Sequence, residues 1–201
     1  MSNKPLNVYR LSSIATLKAL AVEGAHGRQW YRDCEQALRA LCYRRRWCPI
    51  HFAAVLAITS PRVQVPRNAK YTLDYMGVTT DDNGGDIYAH TAIKGLLPMV
   101  RAGLEHYERT GEIRGPKTEP FARAVLGEGD AIVLDTWMAK ALGIPQARLK
   151  SKAVRLKANR RIQAVAKSLD WTPAQAQAAI WTAKFERAHV MSAPGLDTYL
   201  H

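Results

Sequence analysis

The chain has 201 residues, enough to bury a sizeable core as one domain or two interleaved lobes. Hydrophobic residues make up 47% and charged residues 23%, a balance that excludes a disordered chain. Lys and Arg number 29 against 17 Asp and Glu, a formal charge of +12, and such an excess attracts polyanions because each neutralised phosphate releases counterions. The start, MSNKPLNVYRL, has no basic-then-apolar leader pattern, and no apolar run approaches the length of a membrane span. Nor is there a lipidation signal or a long basic amphipathic helix with an aromatic face, so no membrane partner is expected and the location is expected to be cytoplasmic. Cys34, Cys42 and Cys48 are an odd set without metal-ligand spacing, and the six histidines do not cluster. Reduced thiols, no metal and no cofactor are the expectation.

Helical signals dominate the chain, and an all-α fold follows. Residues 29–47 place Tyr31, Cys34, Leu38, Leu41 and Cys42 at spacings of three and four, one buried stripe that Arg44-Arg45-Arg46 ends. Residues 50–59 (IHFAAVLAIT) are apolar nearly all round, as in a helix at the centre of a domain. Ser60-Pro61-Arg62 stops it, and another amphipathic stretch runs from about Asn68 to Met76. The segment TTDDNGGD (79–86) reads as a turn without the ligand spacing of a calcium loop. From Ile87 to Thr110 the pattern is helical, with Pro98 as a kink and Gly111 as the stop.

The block 111–143 reads as a loop, a helix over about 118–126, a turn at Gly127-Glu128-Gly129, and an apolar run from Ala131 to Leu134. Asp135 then caps a short helix that ends at Gly143. Residues 148–161 hold seven basic residues and no acidic one, which points to a polyanion partner. Helices over about 158–169 and 173–188 close the chain, the second opening on Thr172-Pro173.

Two residues of the 111–143 block carry chemical promise. Lys117 stands at the start of a helix, where the macrodipole disfavours a cation and so favours the nucleophilic amine. Asp135 follows four apolar residues and opens a helix, at the edge of the core. Each has a plain alternative, a solvated side chain for Lys117 and a simple cap for Asp135.

Together they form a recognisable pattern. The block GPKTEPFARAVLGEGDAIVLDTW resembles, without a gap, the helix-hairpin-helix superfamily of DNA base-excision glycosylases, the endonuclease III-like enzymes, as a divergent phage-type member. In that family a Gly-x-Lys-Thr leads a helix, and an apolar run ends in Val-Asp-Thr before the next one. Gly115, Lys117, Thr118, Asp135 and Thr136 fall on those positions, with the Asp eighteen residues after the Lys as in the family. Residues 51–73 look like the family's early buried helix, its duplex-probing loop and the helix after it, and 176–187 resembles a late helix that carries a Trp. The likeness covers about two thirds of the chain.

The resemblance implies a two-lobed helical fold, with a central lobe of about 49–134 and a second of about 1–48 with 135–201. It implies base excision on DNA in a bacterial or phage-infected cell, with cleavage of the strand by lyase chemistry in some members. Asp135 would stabilise the cationic sugar as the base departs, and Lys117 would attack C1′. Ser60, Pro61, Arg62 and Gln64 would wedge the duplex while the base is flipped out, and Arg67, Gly115 and Thr118 would hold DNA beside them. Trp137 and Trp181 are candidate walls of the base pocket, with core packing as their alternative. Two features depart from the family. Its hairpin reads Leu-Pro-Gly-x-Gly where this chain has Gly111-Glu112-Ile113-Arg114-Gly115, an abbreviated hairpin whose preceding helix is not evident. Duplex gripping would then pass to Arg114, Lys150, Lys152 and Arg155. The cysteine quartet of some members is absent, which removes an iron–sulfur cluster but not the active site. Two other functions fit the same residues: a base-modifying transferase on this fold, and a nucleic-acid-binding protein without catalysis.

Overall fold

The computed structural model describes residues 9–78, 89–189, 195 and 197–200, and among them the protein is all-α, with ten α-helices and no strand. The turn expected at 79–86 lies outside the described residues. Helix α1 (Ile14–Glu23) is capped by the Ser13 hydroxyl, which accepts from Thr16 N at 3.0 Å. It leads through a 3₁₀ turn to α2 (Trp30–Arg45), which ends where Arg46 turns left-handed. Helix α3 (Pro49–Thr59) is buried continuously from Phe52 to Thr59, as its all-round apolar sequence requires. Helix α4 spans Val65–Val78 and so begins three residues before the amphipathic stretch read from the sequence.

The helix expected over 87–110 is two helices. Helix α5 (Ala89–Ala92) stops before Gly95, whose φ of 80° breaks the helical path, and α6 (Pro98–Thr110) then begins afresh with Pro98 in its first turn. Proline is at home there because the first helical N–H has no intrahelical partner to lose. Pro98 starts a helix rather than kinking one. Gly111 ends α6 at φ 71° as anticipated, so a helix leads directly into the Gly111–Lys117 turn.

Helices α7 (Thr118–Val125) and α8 (Thr136–Ala141) flank the Ala131–Leu134 run. Helix α9 spans Lys152–Leu169, beginning earlier than expected because the Ser151 hydroxyl caps it at Val154 N. Helix α10 (Pro173–His189) opens on a reciprocal cap: Thr172 N donates to Gln175 Oε1 at 2.9 Å, and Gln175 N donates to Thr172 Oγ1 at 3.2 Å.

Two apolar cores organise these helices. One gathers α2, α3, α4, α6 and α7; the other gathers α1, α8, α9 and most of α10. The stripe of α2, Tyr31, Cys34, Leu38, Leu41 and Cys42, lies in the first core. The extended run between α7 and α8 is the seam. Ala131 and Val133 point into the first core and Ile132 and Leu134 into the second, as an extended backbone alternates its side chains. Helix α10 bridges both, with Ala174 and Ala178 in one and Ala176, Ala179, Ile180 and Ala183 in the other. Its small residues admit close neighbours. A Cβ added to Gly24, at the end of α1, would come 2.1 Å from the Ala179 carbonyl oxygen. The seam delivers Asp135 to the boundary between the cores, and the start of α7 delivers Lys117 to the same place.

Candidate active site

A cavity of about 480 Å³ opens between the cores, a volume typical of small-molecule sites. Lys117, Asp135, Ser60, Arg62, Gln64, Trp137 and Trp181 all line it, so the geometry brings together the residues singled out as catalytic and base-walling and all the wedging ones but Pro61. Arg67, Arg114, Gly115, Thr118, Lys150, Lys152 and Arg155 do not line it.

Lys117 occupies the N-cap position of α7 with its side chain turned inward. Its Nζ donates to Ser60 Oγ at 2.9 Å and lies 5.5 Å from the centre of the Phe121 ring. Ser60 in turn donates to the Ala57 carbonyl at 2.8 Å, so the hydroxyl that holds the amine is itself fixed to the end of α3. Burial pushes the Lys117 ammonium below its ordinary range, and the negative charge of Asp135 opposes that shift. Desolvation, more than the helix terminus, is what favours the neutral amine.

Asp135 has both oxygens committed. Oδ1 accepts from Met138 N at 2.9 Å and caps α8, and Oδ2 accepts from the Trp181 indole N–H at 3.0 Å. The cap and the site residue are one and the same. With both donors rigid, the carboxylate has a fixed direction at the cavity wall, where a carboxylate can stabilise positive charge.

Aromatic rings form much of the remaining surface. Trp30 stacks near Phe121 with ring centres 6.3 Å apart, and Trp181 stacks on Phe185 at 5.0 Å. Trp137 meets Phe185 edge-on, and its face carries Lys140 Nζ at 3.6 Å. Trp137 and Trp181 therefore both wall the cavity and pack on Phe185, Trp137 from α8 and Trp181 from within α10. The rim holds a further peculiarity. Arg62 adopts φ 60°, a left-handed conformation that costs a residue with a Cβ about 1–2 kcal/mol. Arg46 and Asp170 share that conformation as helix C-caps, but Arg62 sits at the cavity mouth.

The basic run 148–161 divides on inspection. Arg155 Nη1 donates to the Leu149 and Lys150 carbonyls, each at 2.8 Å, and Arg161 donates to the Ser12 carbonyl at 2.6 Å. Those two side chains brace the backbone. Lys150, Lys152, Lys157 and Arg160 are exposed, and no ion pair engages them among the described residues. Arg67 and Arg114 are exposed, whereas Thr118 is buried against the Gly115 turn. Gly115 itself holds φ 120°, which a side chain would resist.

Sequence reasoning missed Trp30, Tyr31, Asn68, Phe121, Gln177 and Phe185, all of which line the cavity. Tyr31 reads as core stripe, and it is that too. The signal that was available is a polar residue inside an apolar helix face, Gln177 in the run AQAAI.

Fold and site together define an all-helical protein with an aromatic-walled cavity between two cores, holding one desolvated amine and one fixed carboxylate. Residues 9–188 match the model of a family of unknown function, DUF7178, and the chain belongs to that family. No curated protein and no solved structure matches the chain.

Proposed function

We propose that the protein is a DNA base-excision glycosylase with lyase chemistry, acting on a base flipped into this cavity. The observation that carries the reading is the convergence of Lys117 and Asp135 on one aromatic-walled cavity, with the residue spacing of the helix-hairpin-helix glycosylases. In the first step the neutral Lys117 amine attacks C1′ of the sugar. The N-glycosidic bond breaks with its electron pair going to the base, and the base takes up the proton that the amine surrenders. Asp135 stabilises the cationic sugar along the way. The nitrogen lone pair then expels O4′, which takes a proton from solvent, and leaves a protonated Schiff base on Lys117, which hydrolysis or β-elimination resolves. Burial favours the neutral form of Lys117, and two donors aim Asp135. The net charge of +12 supplies the attraction to the phosphate backbone.

The test is borohydride trapping on DNA carrying damaged or modified bases. The proposal expects a covalent protein–DNA adduct and base release, both lost in Lys117→Ala. Salt-sensitive binding with neither adduct nor base release would reduce the protein to a binder. An altered base mass on an intact strand would replace excision by base modification.

A further inference from the structure

Two carboxamides line the cavity that the mechanism does not use. Gln177 is 2% exposed and Asn68 5% exposed, yet both face the cavity. A buried hydroxyl lies against each amide oxygen: Tyr31 donates to Gln177 Oε1 at 2.7 Å, and the Thr59 hydroxyl, which also has the Val55 carbonyl at 2.8 Å, stands 2.7 Å from Asn68 Oδ1. Burial and the charge of Asp135 push the Tyr31 phenol well above its ordinary range, so it keeps its proton and must donate. Gln177 Oε1 is the acceptor it has, which fixes the amide with Nε2 turned away from the phenol.

No protein group accepts from either amide nitrogen among the described residues. Yet neither nitrogen is sealed in the core, where the polar atoms left without partners are His106 Nδ1, Asn159 Oδ1 and Thr182 Oγ1. The open space that both side chains adjoin is the cavity. An amide N–H that opens on such a cavity is satisfied by whatever enters and accepts from it, water or a ligand.

We infer that Gln177 and Asn68 form the base-reading edge of the cavity, two N–H donors that select a heterocycle presenting carbonyl oxygens over one presenting an exocyclic amine. A keto base such as a dioxopyrimidine offers an acceptor where an amino base offers a donor. An amino base at this edge sets N–H against N–H and leaves both unpaired, a mismatch that discriminates more strongly than shape alone. This assignment rests on reading the cavity as a base pocket, and it names the class of base.

Tryptophan fluorescence of the full-length protein, titrated with deoxyuridine and with deoxycytidine, reads the preference without any catalytic step. Deoxyuridine is expected to bind about tenfold more tightly, the worth of one satisfied against one opposed hydrogen bond. Gln177→Glu replaces the donor by an acceptor while keeping the Tyr31 bond, and it inverts or erases the preference. Asn68→Asp acts in the same direction, so the test survives misfolding of either variant. Equal affinities in the wild type, no binding of either nucleoside, or a preference unmoved by both substitutions overturns the inference. The trapping assay separates the two levels. Adducts formed equally with keto and amino bases sink the base-reading edge and leave excision standing. A keto preference without adducts sinks excision and leaves the edge standing.

Discussion

Asp135→Asn separates the structural from the chemical role of this residue. Asparagine caps helices about as well as aspartate, so the bond to Met138 N at 2.9 Å survives through Oδ1. The second oxygen becomes an amide nitrogen facing the Trp181 indole N–H across 3.0 Å, donor against donor. That conflict costs about 1–3 kcal/mol, and at roughly 2–4 °C per kcal/mol for a chain of this size it lowers the melting temperature by several degrees. Turnover falls further, by at least about 100-fold, because the charge that stabilises the cationic sugar is gone. Trp181→Phe in the same chain removes the opposing donor. The double variant should therefore recover most of the stability lost to Asp135→Asn, as denaturation midpoints will read, and none of the single-turnover rate. Recovery of activity together with stability would show that Asp135 is only a cap, and the catalytic assignment would be refuted.

Three further outcomes follow from the same geometry. Because burial lowers the Lys117 pKa, the folded state binds fewer protons than the unfolded chain between that value and the ordinary one of about 10.4, and stability rises with pH across that window. The penalty is fully present below the native pKa. Lys117→Met is thus more stable than the wild type near neutral pH, with a gain that shrinks to nothing above about pH 10.4; a gain constant with pH would contradict the desolvated amine. Gly24→Ala forces a methyl to within 2.1 Å of the Ala179 carbonyl, so α1 and α10 must part, at a cost of about 1–3 kcal/mol in urea unfolding. An unchanged midpoint would show that these helices do not pack so closely. Cys48 is exposed while Cys34 and Cys42 are buried, and burial pushes the Cys42 thiol up to about 11. A thiol reagent at neutral pH should label one cysteine rapidly in the native protein and all three only after unfolding.

Much of the fold was legible because burial wrote itself into periodicity. The all-round apolar α3 and the three-four stripe of α2 leave few other options, and Ser151, Thr172 and Gly111 mark helix ends by chemistry that acts within one turn. Pro98 was ambiguous because a proline within a helical pattern fits a kink or a fresh start equally, and Gly95 settles it through a backbone angle that no pattern records. Lys117 and Asp135 were legible as a pair through the resemblance, whose Gly-x-Lys-Thr and Asp-Thr positions they occupy. Their convergence was not, because it depends on the seam run Ala131–Leu134 alternating between two cores. The amides of Asn68 and Gln177 were invisible for a related reason: a single polar residue in an apolar stretch reveals its role only when its hydroxyl partner, Thr59 or Tyr31, is in place. The basic run misled in part, since Arg155 and Arg161 serve backbone carbonyls.

Peptide mass mapping of the borohydride-trapped species bears most directly on the central claim, that a desolvated amine and an aimed carboxylate share one catalytic cavity. The account predicts a reduced sugar adduct on the peptide that contains Lys117, formed by the wild type and absent from Asp135→Asn. An adduct carried instead by an exposed lysine such as Lys150 or Lys152, or formed equally without the carboxylate, would contradict it.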